Sequence, residues 1–309
     1  VCVVLHEFGH AFAARVYGIR TPDITLLPIG GLARLERMPR NPAQELVIAI
    51  AGPAVNVVIA VLLLLILGKV TLFTDVPLTP KPSPNLLEQL LYANVILVLF
   101  NLIPAFPMDG GRVLRAVLAM MMPHSRATIY AARVGQVIAV IFAILGIFTF
   151  ASNPFFLLLA LFIFFAAQQE SRLAAIHGAA EGRRVIDTML SYFESLPAET
   201  SVAEAASRAL RTQQPVFPVT QAGLLPIGLI SRAELLRALD GGLEQQPIGQ
   251  LPLKPPGAIP ASASLEDALR AMEDSGVPVL SVVNPGGQLV GLLTLQQLSE
   301  LASFARSSG

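Results

Sequence analysis

A histidine pair with a glutamate beside it is the first chemically suggestive pattern in the chain, H-E-x-x-H at residues 6–10. On a helix, residues four apart share a face, so the imidazoles of His6 and His10 can reach one Zn²⁺ ion. Glu7 would lie where it can take a proton from a water activated by that ion. The pattern stands inside an apolar stretch, where ionisable groups are costly and mark function. A solvated or core-satisfied histidine pair is the alternative interpretation.

A third metal ligand is expected, because a catalytic zinc site takes three protein ligands and keeps one position open. The remaining histidines, His124 and His177, lie in polar loops and are interpreted as solvated. Asp109 is the stronger candidate, because its stretch 101–111 interrupts an apolar segment with two prolines. Broken backbone at membrane depth is tolerated where it lines a cavity or is buried in protein. A simple Asp-Gly turn at the end of a span is the alternative.

The composition is that of a membrane protein. Of 309 residues, 54% are hydrophobic and 14% are charged, against roughly 25% charged in an ordinary soluble domain. The net charge is zero, so nothing favours nucleic acid as a partner. Cys2 is the single cysteine, which excludes an intramolecular disulfide and a cysteine zinc site. Since Val1 opens the chain inside an apolar segment, we expect a fragment whose initiator and an upstream span have been lost.

Several apolar segments have lengths near the ~20 residues that a bilayer requires, although the last is short. They are 1–18, 44–68, 86–103, 127–150 and 154–167. The loops on one side hold most of the arginines: Arg34, Arg37, Arg40, Arg112, Arg115, Arg126, Arg172, Arg183 and Arg184. The other side offers only Lys69 and Lys81. Arginine-rich loops stay in the cytoplasm, so we predict a cytoplasmic C-terminal part and an outward loop 69–85.

Two other regions of the sequence have patterns that predict structure. Residues 29–36, which include Gly30 and Gly31 and form the centre of the polar stretch 21–40, predict a short hairpin or edge strand. From about residue 183 the chain reads as a soluble α+β module that repeats itself with a constant offset of 63 residues. The matching pairs are Ser201 with Ser264, Pro215 with Pro278, Gly228 with Gly291, and Ser231 with Thr294. Each copy is expected to contain a helix, two short strands and a second helix.

Residues 1–170 resemble the site-2 protease family of intramembrane zinc metalloproteases. The resemblance rests on three motifs in the family's order: His6-Glu7-x-x-His10, Gly52-Pro53-x-x-Asn56, and Asn101-Leu102-x-Pro104-x-x-Pro107-x-Asp109-Gly110. It implies a polytopic α-helical membrane fold with a short membrane-associated β hairpin. It also implies that His6, His10 and Asp109 bind zinc and that Glu7 is the general base.

The resemblance suggests further site residues. Asn101 would help to hold the scissile carbonyl or its oxyanion, since an amide N–H can donate to a developing negative charge. An interhelical hydrogen bond is the alternative for Asn101. Gly30, Gly31 and Asn56 are assigned to substrate binding, the glycines because an edge strand can capture an unwound substrate by backbone pairing. A linker turn for the glycines, and polar contact between helices for Asn56, are the alternatives.

The C-terminal repeat resembles a tandem pair of CBS domains, with copies at 183–243 and 246–306. Such pairs often bind adenine nucleotides, with an Asp three residues after a Ser or Thr holding the ribose. Here Glu234 follows Ser231 and Gln297 follows Thr294. A nucleotide site is therefore expected, if anywhere, at Ser231 and Glu234 of the first copy.

The combined interpretation is a multi-pass cell-membrane zinc endopeptidase, with a protease domain at 1–172 and a cytoplasmic CBS pair at 183–306. It would cut a peptide bond within or near a transmembrane segment of another protein, as in regulated intramembrane proteolysis. The CBS pair would regulate it or join two copies as a homodimer. A CBS-gated transporter or channel and an inactive protease-like scaffold are the alternatives, although a scaffold does not need Glu7.

Overall fold

In the computed structural model the chain forms two compact units, Val1–Ala174 and Ala175–Gly309. The structure describes residues 1–21, 23–27, 30–34, 41–68, 85–150, 154–222 and 224–307, without the side chains of 23–27, 30–34 and 305–307. Most of the predicted outward loop, with Lys69 and Lys81, lies outside the described residues. So do Arg37, Arg40 and residues 29, 35 and 36 of the predicted hairpin.

The first unit is a set of helices with one hairpin. Its helices are α1 (Cys2–Val16), α2 (Pro42–Ile66), α3 (Leu86–Asn101), α4 (Asp109–Ala119) and α5 (His124–Phe148), and α6 (Phe155–Ala180) begins in it. In the described part of the chain, α2, α5 and α6 are long and apolar enough to cross a membrane, and α3 is a shorter apolar helix of 16 residues. The expected polytopic helical fold is confirmed.

Local sequence sets the ends of these helices. Asn41 and Asn85 cap α2 and α3, each accepting a hydrogen bond from the backbone N–H two residues on, at 2.9 and 3.0 Å. Two prolines follow α3 and end it, and the chain turns helical again at Asp109 rather than at residue 112 as expected. Helix α6 continues well past residue 167, where the last predicted apolar segment ends, because residues that favour helix continue where the apolar run stops.

A two-stranded antiparallel hairpin connects α1 and α2. Its strands are β1 (Asp23–Leu27) and β2 (Gly30–Arg34), and the register pairs Leu27 with Gly30 and Leu26 with Gly31. The second strand packs against α1. The predicted strand around the two glycines is therefore present and adjoins the helix that carries the H-E-x-x-H motif.

The helices α1 and α2 approach each other closely at Gly9. A Cβ added at this position would lie 2.7 Å from the carbonyl oxygen of Ala51 and 2.9 Å from Cγ2 of Val55. Only a hydrogen atom fits there, as at other close crossings of membrane helices. The glycine inside the motif therefore serves packing and brings the two histidines against α2.

The second unit contains two copies of one supersecondary pattern. The first copy has strands β3 (Leu196–Pro197), β4 (Val216–Gln221) and β5 (Leu225–Ser231) with helices α7 (Val202–Leu210) and α8 (Arg232–Asp240). The second has β6 (Ile259–Pro260), β7 (Val279–Val283) and β8 (Leu289–Thr294) with α9 (Leu265–Ser275) and α10 (Leu295–Ser307). In both sheets the short first strand pairs parallel to the second, and the second pairs antiparallel to the third.

The two copies exchange their leading segments. Backbone N–H groups of Val185 and Ile186 donate to carbonyls of Ala263 and Ala261, so the segment before the first copy pairs with the second. In return, Ile248 donates to the Thr200 carbonyl and is buried in the core of the first copy. The predicted boundaries at 183 and 246 thus follow the sequence repeat, whereas the packing joins each of these leading segments to the other copy.

The close crossing gives a testable consequence. We expect Gly9→Ala to lower the free energy of unfolding by about 1–3 kcal/mol, because the added methyl must displace the backbone of α2. Thermal unfolding of the purified chain in detergent measures this. Gly135→Ala on α5 is the matched control, since its Cβ would meet Ala105 at an ordinary 3.4 Å. Equal effects of the two changes would contradict the tight crossing.

Candidate metal centre

Three buried side chains from two helices converge in the first unit. Nε2 of His6 and Nε2 of His10 lie 3.0 and 3.1 Å from the same oxygen, Oδ2 of Asp109, and 3.1 Å from each other. Their exposed fractions are 4%, 4% and 7%. These are nitrogen and oxygen donors of the kind that bind Zn²⁺ in catalytic sites. The structure therefore brings together the three residues that the sequence predicts as metal ligands.

The orientation of His10 is fixed by the backbone of α2. Its Nδ1 lies 2.7 Å from the carbonyl oxygen of Ile48. A carbonyl can only accept, so Nδ1 carries the hydrogen and Nε2 presents its lone pair to the centre. No sequence signal identifies this partner, because a backbone carbonyl has no residue type.

The orientation of His6 is set by a side chain of α2, the helix that also orients His10. Its Nδ1 lies 2.7 Å from Oδ1 of Asn56, which is fully buried. The amide nitrogen of Asn56 donates to Oδ1 of Asn94, at 2.8 Å. Asn56, predicted to bind substrate, thus contacts a candidate ligand and a neighbouring helix. Nothing in the local sequence around Asn94 marks it as a residue of the site.

Gly52 keeps the centre open. A Cβ at this position would overlap Nε2 of His10 and lie 2.7 Å from Nε2 of His6. The glycine sits between Ile48 and Asn56 on the buried face of α2. Spacings of four residues place all three on that face, so one helix surface orients both imidazoles and leaves space at their inner nitrogens.

Asp109 is positioned by tight packing at the start of α4. A Cβ at Gly110 would overlap the carbonyl oxygen of Ile103, and one at Gly111 would lie 2.7 Å from the backbone of Ala105 and Phe106. The chain before α4 therefore folds directly over its first turn. Both glycines are needed for this close approach, which aims Asp109 at the histidines.

A buried ion pair ties α4 to α2. The Nε of Arg115 donates to Oε1 of Glu45 at 2.6 Å, and both residues are buried. Arg115 also lies 3.7 Å from Glu170 on α6. Removing one partner of such a pair leaves a buried charge and is strongly destabilising. The pair links the helix that carries Asp109 to the helix that orients the histidines.

The other residues predicted to act in the protease lie on three different elements, α1, α3 and β2. Glu7 follows His6 on α1 and is 7% exposed. Asn101 ends α3, and its amide nitrogen donates to the carbonyl of Leu97 at 3.0 Å. Gly30 and Gly31 begin β2. Catalytic and substrate-binding roles for these residues stay predictions.

The predicted nucleotide residues form a helix cap in the second unit. Oε2 of Glu234 accepts from the Ser231 hydroxyl and N–H at 2.6 and 2.7 Å, and Glu234 N–H donates back to Ser231. Lys254 lies 3.4 Å from the other carboxylate oxygen. Partial burial raises the pKa of Glu234, but the hydrogen bonds from Ser231 and the nearby charge of Lys254 together outweigh it, and the net shift is downward. Thr294 and Gln297 form the same cap in the second copy.

Comparison with known proteins identifies relatives of the whole chain. The model of peptidase family M50 matches residues 1–80 and 80–145, and the CBS domain model matches 248–303. Zinc metalloprotease MJ0392 of Methanocaldococcus jannaschii is 32% identical, over 95% of this chain and 80% of that protein. The Synechocystis protein sll0528 is 31% identical, over 94% and 78%. A solved site-2 protease from M. jannaschii is 42% identical over 55% of this chain and 74% of its own, with a TM-score of 0.44.

The space left by Gly52 predicts a specific defect. We expect Gly52→Ala to lower the affinity for a bound metal ion by at least about 10-fold, because the methyl pushes both imidazoles apart. Metal content of the purified variant and chelator competition measure this. The matched control is again Gly135→Ala on α5. A variant that binds metal as tightly as the unaltered chain would contradict the described geometry.

Proposed function

The chain belongs to peptidase family M50, the site-2 proteases, which are membrane zinc metallopeptidases, and we propose that it cuts a transmembrane segment of another protein. The observation that carries the proposal is the meeting of three acceptor atoms in a buried site, the Nε2 atoms of His6 and His10 and Oδ2 of Asp109. Such atoms repel one another unless a cation or proton lies between them. We infer that the three residues bind one Zn²⁺ ion.

The proposed reaction is hydrolysis of a peptide bond. Zinc, when bound, would supply Lewis acidity that polarises the scissile carbonyl and makes water a stronger acid. Glu7 would accept the proton of the attacking water and return it to the leaving amine nitrogen. Asn101 would donate to the oxyanion with the amide hydrogen that does not bind the Leu97 carbonyl. Burial of the site strengthens each of these interactions.

The proposed substrate must be unwound before it is cut, because a helix hides its peptide bonds in hydrogen bonds. We propose that the stretch around Gly30 and Gly31 pairs with the unwound segment by strand addition. Two features support this: the glycines lie in a real strand, and that strand packs against the helix that bears the histidines. Asn56 would contribute to substrate binding only indirectly, by holding His6.

The proposed arrangement in the cell follows from charge and hydropathy. The protease domain, 1–172, would lie in the lipid bilayer of the cell membrane, and the CBS pair, 183–306, would lie in the cytoplasm. The pair would regulate cleavage or join two copies as a homodimer. Membership of a peptidase family disfavours a transporter or channel, and the presence of Glu7, which a scaffold does not need, disfavours an inactive scaffold.

The proposed zinc site is tested by substituting its ligands and its general base. We expect His6→Ala, His10→Ala or Asp109→Ala to lower bound zinc and abolish cleavage. Glu7→Gln should keep the zinc and lose about 10²–10⁴-fold in rate, since it removes only the proton acceptor. Metal analysis and a cleavage assay measure both, with exposed Glu199→Gln as the matched control. Undiminished zinc in Asp109→Ala would remove Asp109 from the ligand set.

Membrane orientation is tested by cysteine labelling of intact cells. We expect an impermeant thiol reagent to label Ser83→Cys from outside and to reach Ser195→Cys only after permeabilisation. The unaltered chain, with Cys2 alone, gives the background. The opposite pattern would invert the proposed topology, and labelling of both sites would show that the spans have been miscounted.

Nucleotide binding by the CBS pair is tested on the purified chain. We propose weak binding of ATP or AMP at Ser231 and Glu234, where a carboxylate is a stronger acceptor for ribose hydroxyls than an amide. Glu234→Gln, which gives the first copy the cap of the second, should weaken binding more than Gln297→Ala does. Calorimetry without heat for either nucleotide would leave dimerisation as the proposed role.

A further inference from the structure

We propose that Asn94 is a positioning residue of the metal centre, which acts through Asn56 to make His6 present its Nε2 lone pair. The inference rests on the proposed zinc site and adds a residue that touches neither metal nor substrate. Asn94 lies on α3 and is fully buried. A buried amide in an apolar helix is costly, and its bonds indicate what it is kept for.

The first step is the orientation of the Asn94 amide. Its nitrogen donates to the Leu90 carbonyl, one turn earlier, at 2.8 Å, and also contacts Sγ of Cys2 at 3.2 Å. The carbonyl can only accept, so the amide nitrogen must face it. The amide oxygen of Asn94 then necessarily faces the other way, towards Asn56.

The second step transmits this orientation to the imidazole. Since Oδ1 of Asn94 only accepts, the nitrogen of Asn56 faces it, at 2.8 Å. Oδ1 of Asn56 is thereby turned to Nδ1 of His6, at 2.7 Å, and must accept its hydrogen. A neutral imidazole with its hydrogen on Nδ1 has its lone pair on Nε2, which faces Asp109 and His10.

The donor-to-acceptor direction of this series of hydrogen bonds is therefore set at its start by the backbone carbonyl of Leu90. A reversed Asn56 would place its own amide oxygen against that of Asn94, two acceptors in contact at a buried site, and would turn its amide donor towards Nδ1 of His6. His6 would then carry its hydrogen on Nε2, the atom that has to bind the metal. Asn94 excludes this arrangement and gives His6 the same fixed tautomer that the Ile48 carbonyl gives His10.

A packing role and a positioning role predict different readouts for two variants. Leucine is larger than asparagine and apolar, so for packing alone Asn94→Leu lowers the melting temperature of the chain and lowers zinc affinity only in step with it. For positioning, Asn94→Leu lowers zinc affinity beyond what its melting temperature accounts for, and Asn94→Asp, which has nearly the size of asparagine, preserves the affinity. A buried carboxyl that keeps its proton donates to the Leu90 carbonyl and accepts from Asn56, which reproduces the pattern of the amide.

The experiment measures the zinc dissociation constant of the full chain in detergent micelles by competition with a chelator. We expect Asn94→Leu to raise it about 10–100-fold, the usual effect of losing an outer partner of a metal-bound histidine. Asn94→Asp should stay within about threefold of the unaltered chain, well below that range. The control is Thr128→Val on α5, where a buried residue loses only a hydroxyl bond to the His124 carbonyl.

Two further variants keep the test decisive if Asn94→Leu fails to fold. Asn56→Asp retains an acceptor for Nδ1 of His6, and Asn56→Leu does not, so the same contrast in zinc affinity is expected there. Unchanged affinity in Asn94→Leu, or weaker binding in Asn94→Asp than in Asn94→Leu, would overturn the proposal. An unaltered chain that binds no zinc would instead overturn the proposed function.

Discussion

The close approach of α1 and α2 is the constraint on which the rest of the first unit depends. Gly9 lets the helices touch, and Gly52 leaves room for the imidazoles that this contact brings in. At that distance the carbonyl of Ile48 and the side chain of Asn56 become the partners of the two histidines. One helix–helix contact therefore settles the position of the two histidines, the tautomer of His10 and the open space at their inner nitrogens together. A larger residue at Gly9 would move the two helices apart, and a larger residue at Gly52 would displace the imidazoles.

Sequence reasoning succeeded where residue type and spacing carry the information. The histidines four apart, Asp109 in a broken helix and the offset of 63 residues all led to features that the structure contains. It could not find the Ile48 carbonyl, because backbone groups are the same at every position. It could not identify Asn94 either, because a contact to Asn56 across 38 positions leaves no local pattern.

The same limit appears in the second unit. The spacing of Ser231 and Glu234 predicts a ligand site through a family resemblance, and in the structure both residues cap α8. A cap and a ribose contact draw on the same chemistry, a carboxylate three residues after a hydroxyl, so sequence spacing cannot separate them. Boundaries taken from the repeat likewise follow similarity of sequence, whereas the packing follows which strands and segments pair.

The exchange of leading segments makes the first copy an insertion within the second. The segment at 185–190 reaches its partners, among them the carbonyls of Ala261 and Leu292, only after the whole first copy has been passed. Contacts of such long sequence separation form late, because the intervening chain must first be closed into a loop. A ribosome releases the segment many residues before its partners exist. The second unit consequently cannot complete its fold until β8, the strand that contains Leu292, has been synthesised.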